Sequence, residues 1–276
     1  MIHALLRRAL PTRLYTRLGL VREAVGRARF APYVATHSYG GRPFSVHITD
    51  MMGRSWYDHD WVAPAEIREL AARGRLRPGA RVFDVGAHQG VVAMMLADLV
   101  GPAGQVVAVE ATPHNADVAR RNAELNGLGQ IRVLHAAGAD APGTLHFAPR
   151  MNGHVAAADE ASVAVRAVTI DELTAEHGAP DVLFVDVEGY ELHVLRGAHR
   201  TLESCRPDLF VEVHMGEGLE RFGDADALLA LIPPGYEVLV SRTEEGPYRP
   251  LAESRDVLRH HSRLVALAPR PTTAVA

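Results

Sequence analysis

The chain has 276 residues, 47% of them apolar, and a net charge of −4 at pH 7. That suits one large α/β domain or one domain with an appendage, and the mild acidity speaks against a nucleic-acid binder. The single cysteine, Cys205, excludes an internal disulfide and a thiolate metal site and points to a reducing, cytoplasmic compartment.

The first 30 residues hold Arg7, Arg8, Arg13, Arg17, Arg22, Arg27 and Arg29 against one acid, Glu23. Apolar residues at Leu10, Leu14, Leu18, Val21 and Val25 recur at helical spacing, and Pro11 suits a helix start. The segment reads as a helix packed on the domain with arginines in water. The sharper readings are a helix for a membrane surface or a partner, or an organelle-targeting segment. A secretory signal is not expected, because no apolar stretch follows the charges. No apolar run reaches the ~18 residues of a membrane span, so no stable membrane insertion is expected.

Residues 33–36 and 44–48 flank Gly40-Gly41 and predict a hairpin. Trp56, Tyr57, Asp58, His59, Asp60 and Trp61 follow as an aromatic and charged cluster. It reads either as a cap over a substrate pocket or as a staple holding the N-terminal segment to the core. Pro64 opens a helix over 65–73, closed by Gly74.

From Arg81 the pattern becomes regular. It predicts strand 82–85, a helix to about 100, strand 105–110, a helix over about 115–125 stopped by Asn126-Gly127, and strand 131–135. Short strands at 144–147 and 164–169 bracket a polar, Ala-rich loop, and Thr169 with Glu172 fits a capping box. Strand 182–187, a helix to about 203, strand 209–213, a helix over 225–231 and strands 236–240 and 264–268 complete the pattern. The tail from Pro269 has none. The reading is an α/β fold: a doubly wound, mostly parallel sheet of about seven strands over 76–270, with a helix and hairpin extension over 1–75.

Open parallel sheets bind ligands outside the carboxyl ends of their strands. Four of the predicted strands end there in acids: Asp84, Glu110, Asp186 and Glu212. After Asp84, the turn through Gly86, Ala87 and Gly90 offers bare backbone at a helix N-terminus, the floor of a cofactor site. Its spacing departs from the G-x-G-x-x-G of pyrophosphate sites. Asp84 repels a pyrophosphate but favours the ammonium or sulfonium of S-adenosylmethionine; the alternative is a strand-end aspartate that caps the next helix. Glu110, 20 positions after Gly90, suits a ribose, a device that NAD sites share.

Asp186 falls at the mouth of the central strand, Glu188 in the turn after it, and Glu191 in a first helical turn, where an acid also suits the dipole. Strand alternation puts Glu212 and His214 on one side. Asp186, Glu212 and His214 together form a candidate set for a divalent cation such as Mg2+. Otherwise His214 is a candidate general base, or a structural residue.

The stretches FDVGAHQG, VVAVEATPHNADVARRNAELNG, AVTIDEL, FVDVEGYELHVLRGAHRTL and PDLFVEVH, in that order over about residues 80–215, resemble the FkbM-type S-adenosylmethionine-dependent methyltransferases. The D-x-E-G-x-E segment followed by V-L-x-G-A is the most specific part. The resemblance implies a class I, Rossmann-like methyltransferase sheet. It also implies that Asp84, Gly86 and Gly90 contact the methionyl end, Glu110 the ribose, and Ala137 and Gly138 the adenine. The implied reaction is O-methylation of a hydroxyl on a small molecule, a polyketide or a sugar among them. Asp186, Glu188, Glu212 and His214 are then the candidate catalytic residues. A nicotinamide-binding protein and a non-catalytic module are the alternatives. A nucleic-acid methyltransferase is disfavoured, because Asp186-Val187-Glu188-Gly189 stands where a [DN]-P-P-[YFW] stretch is usual. The expected partner is a small-molecule acceptor, with a homo-oligomer left open.

Overall fold

The computed structural model describes residues 12–148, 154–156 and 162–270. Arg7, Arg8, Leu10, Pro11, most of the Ala-rich loop and the end of the tail lie outside the described residues. Helix α1 spans Thr12–Arg29. Its periodic apolar residues Leu14, Leu18, Val21 and Val25 are exposed rather than packed on the domain. Strands β1 (Tyr33–Tyr39) and β2 (Arg42–Ile48) form the expected hairpin, followed by α2 (Met51–Tyr57) and α3 (Ala65–Ala72). Pro64 sits at the N-cap of α3.

The main sheet takes β3 (Arg81–Val85), β4 (Gln105–Glu110) and β5 (Ile131–His135), with α4 (Val91–Val100) and α5 (Pro113–Leu125) between them. α5 begins two residues earlier than the sequence pattern suggests, because Pro113 occupies its first turn. A second sheet holds β6 (Ala137–Gly138), β7 (Gly143–Ala148), β8 (His154–Val155) and β9 (Val163–Val168). Helix α6 (Ile170–His177) then starts at the predicted capping box: Glu172 N donates to Thr169 Oγ1 and Thr169 N to Glu172 Oε2, both at 3.0 Å.

Strand β10 (Val182–Val185), helices α7 (Glu191–Arg196) and α8 (His199–Ser204), and strand β11 (Asp208–Val213) follow. Helix α9 (Ala225–Leu229), β12 (Glu237–Ser241), β13 (Arg249–Pro250), α10 (Leu251–Ser254) and β14 (Ser262–Leu267) close the chain. The sheet order is β13-β12-β14-β11-β10-β3-β4-β5, with β5, β4, β3, β10 and β11 parallel and β14 antiparallel between β11 and β12. The seven expected strands are all present, and the two-residue β13 adds an edge. Among the described residues, no helix is long and apolar enough to cross a membrane.

Alternation along the strands divides the core. Val82, Val106, Ala108, Val182, Phe184 and Phe210 face the layer of α4, α3 and the hairpin. Phe83, Val107, Leu183, Val185 and Leu209 face α6, α7 and α8. By the same period of two, Asp84, Glu110, Asp186 and Glu212 all belong to the first side. The hairpin shares that core: Tyr39 and Ile48 are fully buried, each contributing about 2 kcal/mol by burial alone.

The single helix expected to about residue 203 is instead two. A Cβ on Gly197 would lie 1.9 Å from the Ala139 carbonyl oxygen, and the Gly197 carbonyl accepts from Asp171 N at 3.0 Å. The chain is pinned between β6 and α6, and the helix breaks there. Helix propensity favours Gly197→Ala by about 1 kcal/mol, yet overpacking costs about 1–3 kcal/mol. We expect overpacking to win, so that Gly197→Ala lowers the midpoint of thermal unfolding by several degrees; an unchanged or raised midpoint would refute this contact.

Candidate active site

The carboxyl ends of β3, β4, β10 and β11 open into a cavity of about 770 Å³, within the usual range for a small-molecule site. At its floor, Gly86 adopts φ +97°, and a Cβ there would sit 1.6 Å from the Asp186 carbonyl oxygen. Asp186 N in turn donates to Val85 O at 2.9 Å. Only glycine lets these two strand ends meet so closely.

Glu110 is buried, and each of its oxygens accepts a backbone N–H, Oε2 from His88 at 2.9 Å and Oε1 from Thr112 at 2.7 Å. Asp84 is buried as well, and its Oδ2 has no hydrogen-bond partner. Burial, reinforced by the nearby Glu110, pushes the Asp84 carboxyl up to about 7. Burial also carries Glu110 to about 7, against the pull of its backbone donors.

Beside this floor stands a second set of ionisable groups. His214 Nδ1 donates to Glu191 Oε1 at 2.6 Å, while Nε2 lies 3.7 Å from Asp186 Oδ1 and 3.6 Å from Glu188 Oε2. Burial disfavours the imidazolium. The hydrogen bond to Glu191 and the charges of Glu191, Asp186 and Glu188 outweigh it and raise His214 to about 10. At that value His214 carries its proton at neutral pH in the ligand-free chain. Asp186 is held well above the usual carboxylate range by desolvation and by Glu212, although its side chain, 45% accessible, lets solvent moderate the rise.

Glu212 accepts from His261 Nε2 at 2.8 Å and from Arg263 Nη2 at 2.9 Å. Burial opposes its charge, but His261, Arg263 and His214 prevail and keep it below its usual range. The expected metal trio thus divides. Among the described residues, Glu212 groups with His214 and His261, and Asp186 with Glu188 and His214. Arg263 already occupies Glu212 Oε2, so a cation at the first of these sets would compete with that ion pair.

The outer wall comes from the extension. Trp56, Tyr57 and Trp61 line the cavity. Tyr57 O–H bonds His88 Nδ1 at 2.7 Å, and Tyr39 O–H donates to the Tyr57 carbonyl. Asp50 caps α2 by accepting from Gly53 N at 2.7 Å and binds Gln89 Nε2 at 3.1 Å, tying α2 to the glycine loop. The aromatic cluster is thus both pocket wall and staple.

Of the residues singled out by sequence, Asp84, Gly86, Ala87, Glu110, Ala137, Gly138, Asp186, Glu188, Glu212 and His214 all line the cavity. Gly90 does not; it is the N-cap of α4, behind the wall. His88, Glu66, His261 and Arg263 also line it and have no motif that marks them. His88 has φ +48°, a strained turn invisible in the sequence.

A parallel sheet with an antiparallel strand inserted near one edge, acids at the strand mouths and a glycine floor define a Rossmann-like methyltransferase. Residues 84–238, more than half of the chain, match the family described as Methyltransferase FkbM domain. The chain belongs to that family, and its cofactor is S-adenosylmethionine.

Among curated proteins, a protein-L-isoaspartate O-methyltransferase of Aeropyrum pernix is 42% identical over 97 residues, covering 35% of this chain and 36% of that one. A hexuronic acid methyltransferase of Haloferax volcanii is 30% identical over 140 residues, covering 49% of this chain and 56% of that one. The chain thus spans well under two thirds of the length of these relatives. Among solved structures, a methyltransferase FkbM from Methylobacillus flagellatus aligns with TM-score 0.47 and 19% identity, over 68% of this chain and 43% of that one. Aeropyrum pernix fibrillarin with bound S-adenosyl-L-methionine aligns with TM-score 0.45 and 13% identity, over 85% and 82%.

The residues fit the cofactor. A buried carboxylate oxygen on Asp84 lacks a partner, and a ligand with an ammonium and a sulfonium supplies the missing charge. In the ligand-free chain, Asp84 and Glu110 hold protons up to about pH 7, far above their ordinary values of 3.8 and 4.5. Their stabilising contribution is present below the ordinary values and is lost as pH rises through about 7. A cation binds the ionised forms. We therefore expect S-adenosylmethionine affinity to rise from pH 5.5 to 8, by up to about tenfold per unit below pH 7 for each carboxyl that must ionise. Calorimetry should register proton release. Asp84→Asn should weaken binding about 10- to 100-fold and flatten the pH dependence; affinity independent of pH would refute the assignment.

Proposed function

We propose that this methyltransferase acts on a hydroxyl oxygen of a small molecule, a natural product or a sugar. The observation that carries the reading is the ionisable cluster of Asp186, Glu188, His214 and Glu191 at the inner wall of the cavity. A hydroxyl must lose a proton as its oxygen attacks, and this cluster can take it. The Haloferax volcanii relative named for a hexuronic acid supports a sugar scaffold, as do Trp56 and Trp61 among the residues that line the cavity.

S-adenosylmethionine, when bound, supplies an electrophilic methyl on a positive sulfur. Asp84 receives its ammonium end, Glu110 its ribose hydroxyls, Gly86 and Ala87 present backbone to it, and Ala137 and Gly138 border the adenine. Asp186 accepts the hydroxyl proton of the acceptor. The imidazolium of His214 pulls the Asp186 carboxyl downward but alone leaves it above its usual range; the positive charge of a bound cofactor adds to that pull and favours the ionised form. Glu191 is a positioning residue that fixes the ring of His214 and keeps it protonated. Glu212 holds Arg263 and His261 in place rather than touching the reacting atoms. The remaining part of the mechanism is alignment and exclusion of water. Within the extension at 1–75, residues between 55 and 68 supply the acceptor wall of the domain at 76–270.

Mass spectrometry after incubation with methyl-labelled cofactor and a panel of hydroxylated acceptors tests the reaction; labelled product with an O-methyl linkage is expected, and transfer only to nitrogen or carboxylate acceptors would refute it. Asp186→Asn should lower kcat by about 10²- to 10⁴-fold with cofactor affinity retained. Glu191→Gln should shift the His214 ring titration, followed by NMR, downward from about 10, along with a fall in kcat. An unmoved titration would remove Glu191 from this role.

A further inference from the structure

The acceptor half of the cavity is acidic beyond what its cations offset. Asp60, Glu217, Glu244 and Glu245 stand exposed at the mouth and line it. Arg263 and His261 are already paired with carboxylates, and Arg68 is engaged by backbone. Arg263 reaches Glu66 at 2.7 Å, Glu212 at 2.9 Å and Glu244 at 3.5 Å. His261 is shared between Glu212 at 2.8 Å and Glu217 at 3.3 Å. Arg68 spends both terminal nitrogens on the carbonyls of Ala63 and Glu245.

A second, independent observation lies deeper. Glu66 lines the cavity and is 3% exposed, and its Oε2 has no hydrogen-bond partner although Oε1 holds Arg263. A buried carboxylate oxygen left without a donor is a place for one. Trp56 and Trp61 line the same cavity, and aromatic rings attract cations.

We infer that the acceptor is a cation: a hydroxyl compound bearing an amino group, such as an aminated sugar or cyclitol. The choice of a hydroxylated scaffold rests on the reading proposed above; the charge rests on the cavity itself. A cleft lined by one sign of charge concentrates ligands of the other, and like charges brought together across an interface are penalised. The acceptor of this chain therefore differs in charge from the hexuronic acid for which the Haloferax volcanii relative is named.

Three probes on one scaffold test this: methyl glucopyranoside, its 2-amino-2-deoxy analogue and its uronate. Binding to the full chain saturated with S-adenosylhomocysteine is read by ligand-observed NMR at pH 7.5. The amino probe should bind at least about tenfold tighter than the uronate, with the neutral sugar between. That ratio should shrink at about 0.5 M salt, where screening is strong. It should also shrink in the Glu244→Gln/Glu245→Gln double variant, whose cofactor affinity, checked by calorimetry, stays at the wild-type value. Equal or undetectable binding of all three probes, tighter binding of the uronate, or a ratio unmoved by both salt and the double variant overturns the inference. Transfer assays separate it from the underlying reading. Methylation of the amino probe on nitrogen alone sinks the hydroxyl assignment and leaves the charge preference standing. Preferential O-methylation of the uronate does the reverse.

Discussion

Four carboxylates on one face of one sheet edge are the constraint on which the molecule turns. Asp84, Glu110, Asp186 and Glu212 share the parity of residues that point toward α4 and the hairpin. Three of the four are buried, and Asp186 opens to the cavity. Placing them so close together without a cation is unfavourable, and the protein answers it differently at each position. Glu110 receives backbone N–H groups from His88 and Thr112. Glu212 receives Arg263 and His261. Asp186 faces the imidazolium of His214. Asp84 alone among these four carboxylates has a buried oxygen without a partner, which is where a charged cofactor gains most.

The contact that holds this arrangement is backbone to backbone. Gly86 and Asp186 directly follow the neighbouring parallel strands β3 and β10, and the absence of a side chain at Gly86 lets the Asp186 carbonyl close over the loop. The same turn delivers the backbone N–H of His88 to Glu110. The glycine loop and the end of β10 are thereby in direct backbone contact.

The extension is part of the site rather than an attachment to it. Tyr39, Phe44, Val46 and Ile48 enter the same apolar core as Val82 and Val106. From that anchor, Trp61 is held by a bridge to Tyr39, and Tyr57 reaches His88. The hairpin thus sets the position of the aromatic wall, and its packing transmits directly to the acceptor side of the cavity. The exposed acids that line the cavity come from the segment before α3, the turn after β11 and the β12–β13 connection: Asp60, Glu217, Glu244 and Glu245.

The sequence by itself determined the parallel sheet, its seven principal strands and the four acids at their ends. These follow from local rules: apolar alternation of period two, glycine and proline punctuation, and a capping box at Thr169. It also marked Gly86 and His214 as residues of interest. Only the tertiary structure decided what those residues do. His214 is a cation because Glu191, 23 residues away in sequence, bonds its ring in a buried pocket. Glu212 is ion-paired because β14 carries Arg263 alongside it. Gly90 turns away behind the wall, and the helix after β10 breaks where Gly197 meets Ala139. Protonation, pairing and close approach depend on which distant segments share a volume from which water is largely excluded, and no local pattern along the chain records that.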